Sequence, residues 1–213
     1  MRSIEFRRLG VVGYGEGIRR MDELAGARAE GLVPDTVLLL EHTPVITLGR
    51  SAKPGHVLAS PEELGLRGIE LHEAGRGGDV TYHGPGQVVA YPVFDLKPDR
   101  CDVRRYVSGL EEVMIRTVAA YGIAAARVRG RPGVWVGERR KIGAVGVRIT
   151  RWITTHGLAL NVSHAPVEEG FSLIVPCGLP DAEVTSIEAQ AAAIPDVSTV
   201  LDELQGAFRE VFG

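Results

Sequence analysis

Cysteine is scarce. The 213-residue chain has two, Cys101 and Cys177, too far apart in sequence to form a CxxC pair. That scarcity excludes a disulfide framework and leaves a reducing, cytoplasmic compartment as the default. Long apolar runs are missing too: the longest purely aliphatic run near the start, Val37-Leu38-Leu39-Leu40, falls far short of the roughly 20 residues of a membrane span. Residues 1–8 contain no apolar stretch, so no secretory leader is expected. A dominant charge sign is also lacking. Lysine plus arginine total 24 against 27 acids, a net charge of −3, which speaks for neither nucleic acid nor an anionic membrane as partner. His42, His56, His72, His83, His156 and His164 show no paired helical spacing, so neither a metal site nor a cofactor is expected. With no repeat, low-complexity tract or linker, one compact domain over residues 1–213 and a monomer are the expectation.

Periodicity supplies the elements. Ile18, Met21, Leu24, Ala25 and Arg28 share one face of a helix from Tyr14 to Ala29. A second helix runs between Asp102, its cap, and Tyr121, and a third over residues 197–212 with Ser198 as cap and Val200, Leu201, Leu204, Phe208 and Val211 buried. Strands are predicted at residues 2–9, 36–41, 45–48, 69–73, 87–94, 126–128, 133–136, 141–150 and 153–162, the second and third around a turn at His42-Thr43-Pro44. Strands and long helices without strict β-α-β alternation predict an α/β fold, a mixed sheet packed with helices. Basic runs at Arg100, Arg104 and Arg105, at Arg127, Arg129 and Arg131, and at Arg139, Arg140 and Lys141 could face an acidic protein. Any one such run is more often a solvated face.

Three features could carry chemistry. The densest is the stretch from Gly75 to Gln87, in which Gly75, Gly77, Gly78, Gly84 and Gly86 open the backbone to close approach. Arg76, Thr81, Tyr82 and His83 set donors and a ring beside it, which favours a ligand-binding loop over a plain turn. It is neither a P-loop nor a Gly-x-Gly-x-x-Gly fingerprint. The second is Cys177, between Pro176 and Gly178 on an irregular turn that can present a thiol to a cleft. Lone cysteines are more often apolar filler. Cys101, flanked by acids at a helix start, reads as structural or incidental. The third is Lys141, which opens a strand of small and aliphatic residues and can turn its stem inward beside glycine-lined space.

Residues 76–87 resemble the signature of the bacterial lipoyl(octanoyl) transferases, the octanoyl-carrier-protein:protein N-octanoyltransferases. Four further segments agree in order: Glu41-His42-Thr43-Pro44-Val45 leading to Thr47-Leu48-Gly49-Arg50, residues 141–147, residues 156–162, and Pro176-Cys177-Gly178 with Val184-Thr185-Ser186 after it. The resemblance implies the catalytic fold of biotin and lipoate protein ligases. It implies that Cys177 holds an octanoyl thioester with Lys141 as its partner, either an ammonium stabilising the thiolate or an amine accepting a proton. Arg76, Gly77, Gly78, Asp79, Val80, Thr81, Tyr82 and His83, with Ala144, Val145 and Gly146 and with Gly157, Leu158 and Ala159, would line the acyl channel. Octanoyl-acyl carrier protein would be the donor, and lipoyl domains of 2-oxo acid dehydrogenases and the glycine cleavage H protein the acceptors. An ATP-dependent ligase of the same fold and a noncatalytic module for lipoyl domains are the rival readings.

Overall fold

A computed structural model describes residues 3–176, 182–192 and 196–213. Its larger sheet runs in the order β1 (Ile4–Val12), β2 (Asp35–His42), β6 (Gln87–Val93), β10 (Ile153–Asn161), β9 (Arg140–Thr150), β8 (Arg131–Val136) and β7 (Ala126–Val128), with β11 (Glu183–Val184) alongside β9. The β1–β2 and β9–β11 pairs are parallel and the other neighbours antiparallel, so the sheet is mixed. A smaller sheet sets β3 (Val45–Leu48) between β4 (Glu70–Glu73) and β5 (Val80–His83).

Alternation divides the core. On β2, Val37 and Leu39 face one way and Leu38 and Leu40 the other; β6 does the same with Val88 and Ala90 against Val89 and Tyr91. The first face packs under α3 (Val103–Ala119) and α6 (Val197–Phe212), through Leu110, Met114, Leu204 and Phe208. The second packs under α1 (Tyr14–Ala29), through Met21 and Leu24. Covered on both sides, β2 and β6 read as unbroken apolar runs. A third cluster under the small sheet joins Ile46, Val80 and Tyr82 to Leu64 on α2 (Pro61–Leu66) and Val167 and Phe171 on α4 (Ala165–Phe171). Among the described residues no helix is long and apolar enough to cross a membrane.

Helix α1 has the predicted bounds, and Asp102 caps α3 by accepting from the Arg105 amide at 3.0 Å. Four expectations change. Asp196, not Ser198, caps α6: its carboxylate accepts from the Ser198 amide at 3.2 Å, so Ser198 already lies in the first turn. Along α6, Leu201 and Val211 are only partly buried where both were expected in the core, and Phe212 is buried instead. The His42-Thr43-Pro44 turn does not fold β2 and β3 onto one another; it is where the chain leaves one sheet for the other. The glycine-rich stretch is not all loop, because Val80–His83 pairs with β3 as β5. The short helices α2, α4 and α5 (Ile187–Gln190) carry too little periodicity to be read from sequence.

Candidate active site

A cavity of about 220 Å³ opens between α1, the sheet face beneath it and the glycine-rich segment. Its floor is a column of small residues. Ala144 and Gly146 on β9 stand level with Ala159 and Gly157 on β10, leaving a slot flanked by Val89, Val145 and Leu158. The glycine segment is clamped over one end. Gly77 donates its amide to the Val147 carbonyl at 3.0 Å, and the amides of Gly49, Arg50 and Ser51 donate to the carbonyls of Asp79, Arg76 and Gly78. A Cβ at Gly146 would sit 3.0 Å from Cδ of Arg76, so the arginine stem rests on the bare backbone there.

Arg76 is buried, and its guanidinium is committed to protein acceptors. Nε donates to Thr47 Oγ1 at 3.3 Å, Nη1 to the Gly77 and Asp79 carbonyls at 3.1 and 2.9 Å, and Nη2 to Thr47 O and Oγ1 at 2.8 and 2.7 Å. A guanidinium has five N–H groups, and these five bonds use them. Arg76 therefore organises the loop and offers a ligand carbon and charge rather than a spare donor. Asp79 accepts from the Val80 amide at 2.7 Å and pairs with His56 Nδ1 at 2.8 Å; the His56 carbonyl accepts from the Val175 amide at 2.8 Å. The loop is thus tied to the chain that runs into Pro176.

Lys141 is buried at the start of β9, and its stem does turn inward. The slot is made by Gly133, at φ +105°, where a Cβ would stand 2.5 Å from the Gly143 carbonyl and 2.7 Å from Cε of Lys141. No other residue fits that backbone and that contact. The Gly133 amide donates to Glu111 at 3.0 Å, and Nζ of Lys141 lies 5.2 Å from the centre of the Trp135 ring. A chain of hydrogen bonds crosses from β5 to the same place. His83 Nδ1 meets Gln87 Oε1 at 2.6 Å, Gln87 Nε2 donates to Asn161 Oδ1 at 2.9 Å, and Asn161 Nδ2 donates to the Thr185 carbonyl at 2.9 Å. The Thr185 amide in turn donates to the Lys141 carbonyl at 2.9 Å. Each amide has one consistent orientation, so Nδ1 of His83 carries the hydrogen. Burial, with His42 nearby, pushes His83 down to about 3, and it is neutral.

Aromatic and imidazole groups close the end away from Lys141. His42 Nδ1 donates to the Val12 carbonyl at 3.1 Å and Nε2 accepts from the Tyr91 hydroxyl at 2.7 Å; burial holds the imidazole down to about 4 and the phenol above its usual range. His156 has a left-handed backbone, φ +57°, and its ring lies 6.0 Å from that of Tyr91. Burial first, then the charges of Arg76 and Arg148, lower it to about 4.

Thirteen of the sixteen residues named from sequence line this cavity. Gly77 holds the loop instead, and Tyr82 turns its ring away, against Phe171 at 6.0 Å. Cys177 lies outside the described residues. Cys101 is exposed, its thiol 3.6 Å from the Leu96 carbonyl. Sequence reasoning missed Tyr14, Val89, Tyr91, Gly130, Pro132 and His156. Period-two spacing from Gln87 could have found Val89 and Tyr91. Several arginines of the basic runs serve the fold: Arg127 pairs with Glu111 and Glu112, Arg100 bonds the Phe212 carbonyl, and Arg131 bonds the Glu138 carbonyl.

Comparison with known proteins decides the family. The model of the lipoyl protein ligase A/B catalytic domain matches residues 14–209. The octanoyltransferase of Chloroflexus aurantiacus is 48% identical over 214 residues, covering 100% of this chain and 95% of that protein. The chain belongs to the octanoyltransferase family. It is an acyltransferase, and its fold is the one that lipoate and biotin protein ligases share. A bipartite lipoate protein ligase from Thermoplasma acidophilum, described with its E2 lipoyl domain, superimposes with a TM-score of 0.72 at 17% identity, covering 98% of this chain and 84% of that one. The biotin protein ligase of Aquifex aeolicus, in complex with biotin and ATP, gives 0.58 at 14% identity, covering 97% and 69%. Both likenesses concern the fold; the family rests on the sequence match.

Proposed function

We propose that residues 1–213 form one catalytic domain that moves an octanoyl group from the phosphopantetheine thioester of acyl carrier protein to a lysine amine on a lipoyl domain, by way of a thioester on Cys177. The acceptors are the lipoyl domains of 2-oxo acid dehydrogenases and the glycine cleavage H protein. The observation that carries this reading is a buried lysine, Lys141, fitted into a glycine-cut slot at one end of a channel floored by Ala144, Gly146, Ala159 and Gly157. Such a channel suits an unbranched acyl chain, and Lys141 is the residue that would serve the Cys177 sulfur, as an ammonium or as a neutral amine.

The chain is anchored on both sides of Cys177, which supports that residue as the thiolate. Before it, Val57 bridges Ile174 and the Val175 amide donates to His56. After it, Val184 pairs with Lys141 in parallel register. In the first step the Cys177 sulfur attacks the donor carbonyl; the new S–C bond replaces the old one, and the phosphopantetheine thiol leaves with a proton. In the second, the acceptor amine attacks, an N–C bond forms, and the Cys177 sulfur departs while the amine loses a proton. Exchange between thioesters is nearly balanced and aminolysis runs downhill, so neither step calls for ATP.

The test is transfer in the absence of nucleotide. Octanoyl-acyl carrier protein and a lipoyl domain, mixed with this protein alone, are expected to yield the octanoyl amide, read by the mass of the lipoyl domain. A strict requirement for ATP would instead make the chain a ligase and remove Cys177 from the account.

A further inference from the structure

A set of buried amides lies beside Lys141, and the two acyl-transfer steps make no direct use of it. The β9–β10 ladder ends at Gly143 opposite Leu160, short of Lys141. Strand β8 keeps one edge of Lys141 through Trp135, and β11 takes the edge that β10 has left. β11 is the first described strand after Cys177. Lys141 and the chain returning from Cys177 therefore meet where the ladder of β10 supports neither. Asn161 crosses that gap. The last residue of β10, it donates from Nδ2 to the Thr185 carbonyl at 2.9 Å, and the Thr185 amide donates to the Lys141 carbonyl at 2.9 Å. Behind it, Gln87 Nε2 donates to Asn161 Oδ1 at 2.9 Å and to the Tyr82 carbonyl at 3.3 Å, while Gln87 Oε1 accepts from His83. Tyr82 and His83 belong to β5, which lines the cavity through Val80, Thr81 and His83. The backbone carbonyls of Tyr82 and Thr185 each need a donor, and that fixes both amide orientations. Asn161, Gln87 and Thr185 are 4%, 1% and 3% exposed, so water does not replace a bond that is lost there.

We infer that Asn161 and Gln87 are positioning residues for acyl transfer: acting through Thr185, they hold Lys141 and the chain leading from Cys177 in place against the β5 wall of the channel. Apolar side chains would fill the same space between β6 and β10. They would leave the Thr185 carbonyl without its donor and the two walls of the channel free to shift. The Glu188 amide, bonded to the Val162 carbonyl at 2.9 Å, docks the same segment independently. Loss of the side-chain bonds thus moves Thr185 without releasing the chain. This inference rests on the acyl-transfer reading above.

The experiment follows single-turnover transfer of octanoyl from its carrier protein to Cys177, between about pH 6 and about pH 9, in wild type, Asn161→Asp and Asn161→Leu. An aspartate has the shape of asparagine. Protonated, it donates to the Thr185 carbonyl; ionised, it sets a carboxylate against that carbonyl. Burial raises a carboxyl above its usual value of about 3.9, so the donor is present at the acid end of the range and lost as pH rises. Asn161→Asp is expected to match wild type within about threefold near pH 6 and to fall about thirtyfold behind it near pH 9. The loss should appear in the maximal rate and not in the donor concentration that half-saturates. Asn161→Leu, which carries no charge, should be about thirtyfold slow throughout, which separates the lost bond from an added charge. A merely structural role would lower the melting temperature and leave the rates parallel across pH. That result, or Asn161→Leu at the wild-type rate, overturns this inference alone. If Asn161→Asp does not fold, Gln87→Glu, whose carboxyl must donate to Asn161 Oδ1 in the same way, is read by the same criterion. A wild type that never gains octanoyl on Cys177 overturns the reading beneath it instead.

Discussion

Replacing Lys141 with methionine is expected to slow octanoyl transfer by at least about a hundredfold and to shift the alkylation of Cys177 to higher pH. A free cysteine thiol titrates near 8.5, and a neighbouring cation commonly brings it to about 3.5 to 7.5. Methionine keeps the unbranched stem that the Gly133 slot accommodates and the contact with Trp135, and deletes the charge. The rate of alkylation against pH, in wild type and Lys141→Met with Cys101→Ser as background, separates electrostatics from packing. Should the two titrations coincide and transfer survive, Lys141 is a buried cation resting on an indole. His83 would be a poor substitute, since a nitrogen pushed down to about 3 accepts few protons at neutral pH.

Filling the channel is expected to cost roughly fiftyfold in octanoyl transfer while leaving short chains nearly untouched. Ala144 faces Ala159 across the floor, so Ala144→Leu adds three carbons to the slot. If they displace about three methylenes at about 0.8 kcal/mol each, the loss is about 2.4 kcal/mol. Butanoyl-acyl carrier protein should then overtake octanoyl as the better donor of the variant. An equal loss on both chains would mean that the leucine distorts β9 and that the column of small residues is not where the acyl group lies.

Much of the fold and most of the cavity lining could be read from the sequence, for identifiable reasons. Helix α1 and helix α3 repeat their apolar positions every three or four residues, and Asp102 directly precedes Val103, the first periodic residue of α3. Residues 144–146 and 157–159 come to the channel through the family resemblance, and the pairing of Gly146 with Gly157 and of Ala144 with Ala159 across β9 and β10 fits that placement. What stayed hidden depends on partners far off in sequence. Arg76 reads as a ligand donor until Thr47, 29 residues away, takes its N–H groups. His156 begins a promising motif, but its left-handed backbone, which departs from strand alternation, is only hinted at by a residue type that tolerates that region. The exchange of sheets after His42 is invisible because a Thr-Pro turn serves a hairpin and a crossover equally well.

The central claim is that the acyl group passes through a covalent thioester on Cys177. It is tested most directly by incubating the protein with octanoyl-acyl carrier protein and no acceptor, then measuring intact mass and mapping the peptides. The account predicts a gain of one octanoyl group, located on Cys177, labile to hydroxylamine, discharged on adding a lipoyl domain, and missing from Cys177→Ala. An adduct on Cys101, or none while transfer to the lipoyl domain proceeds at full rate, would contradict it.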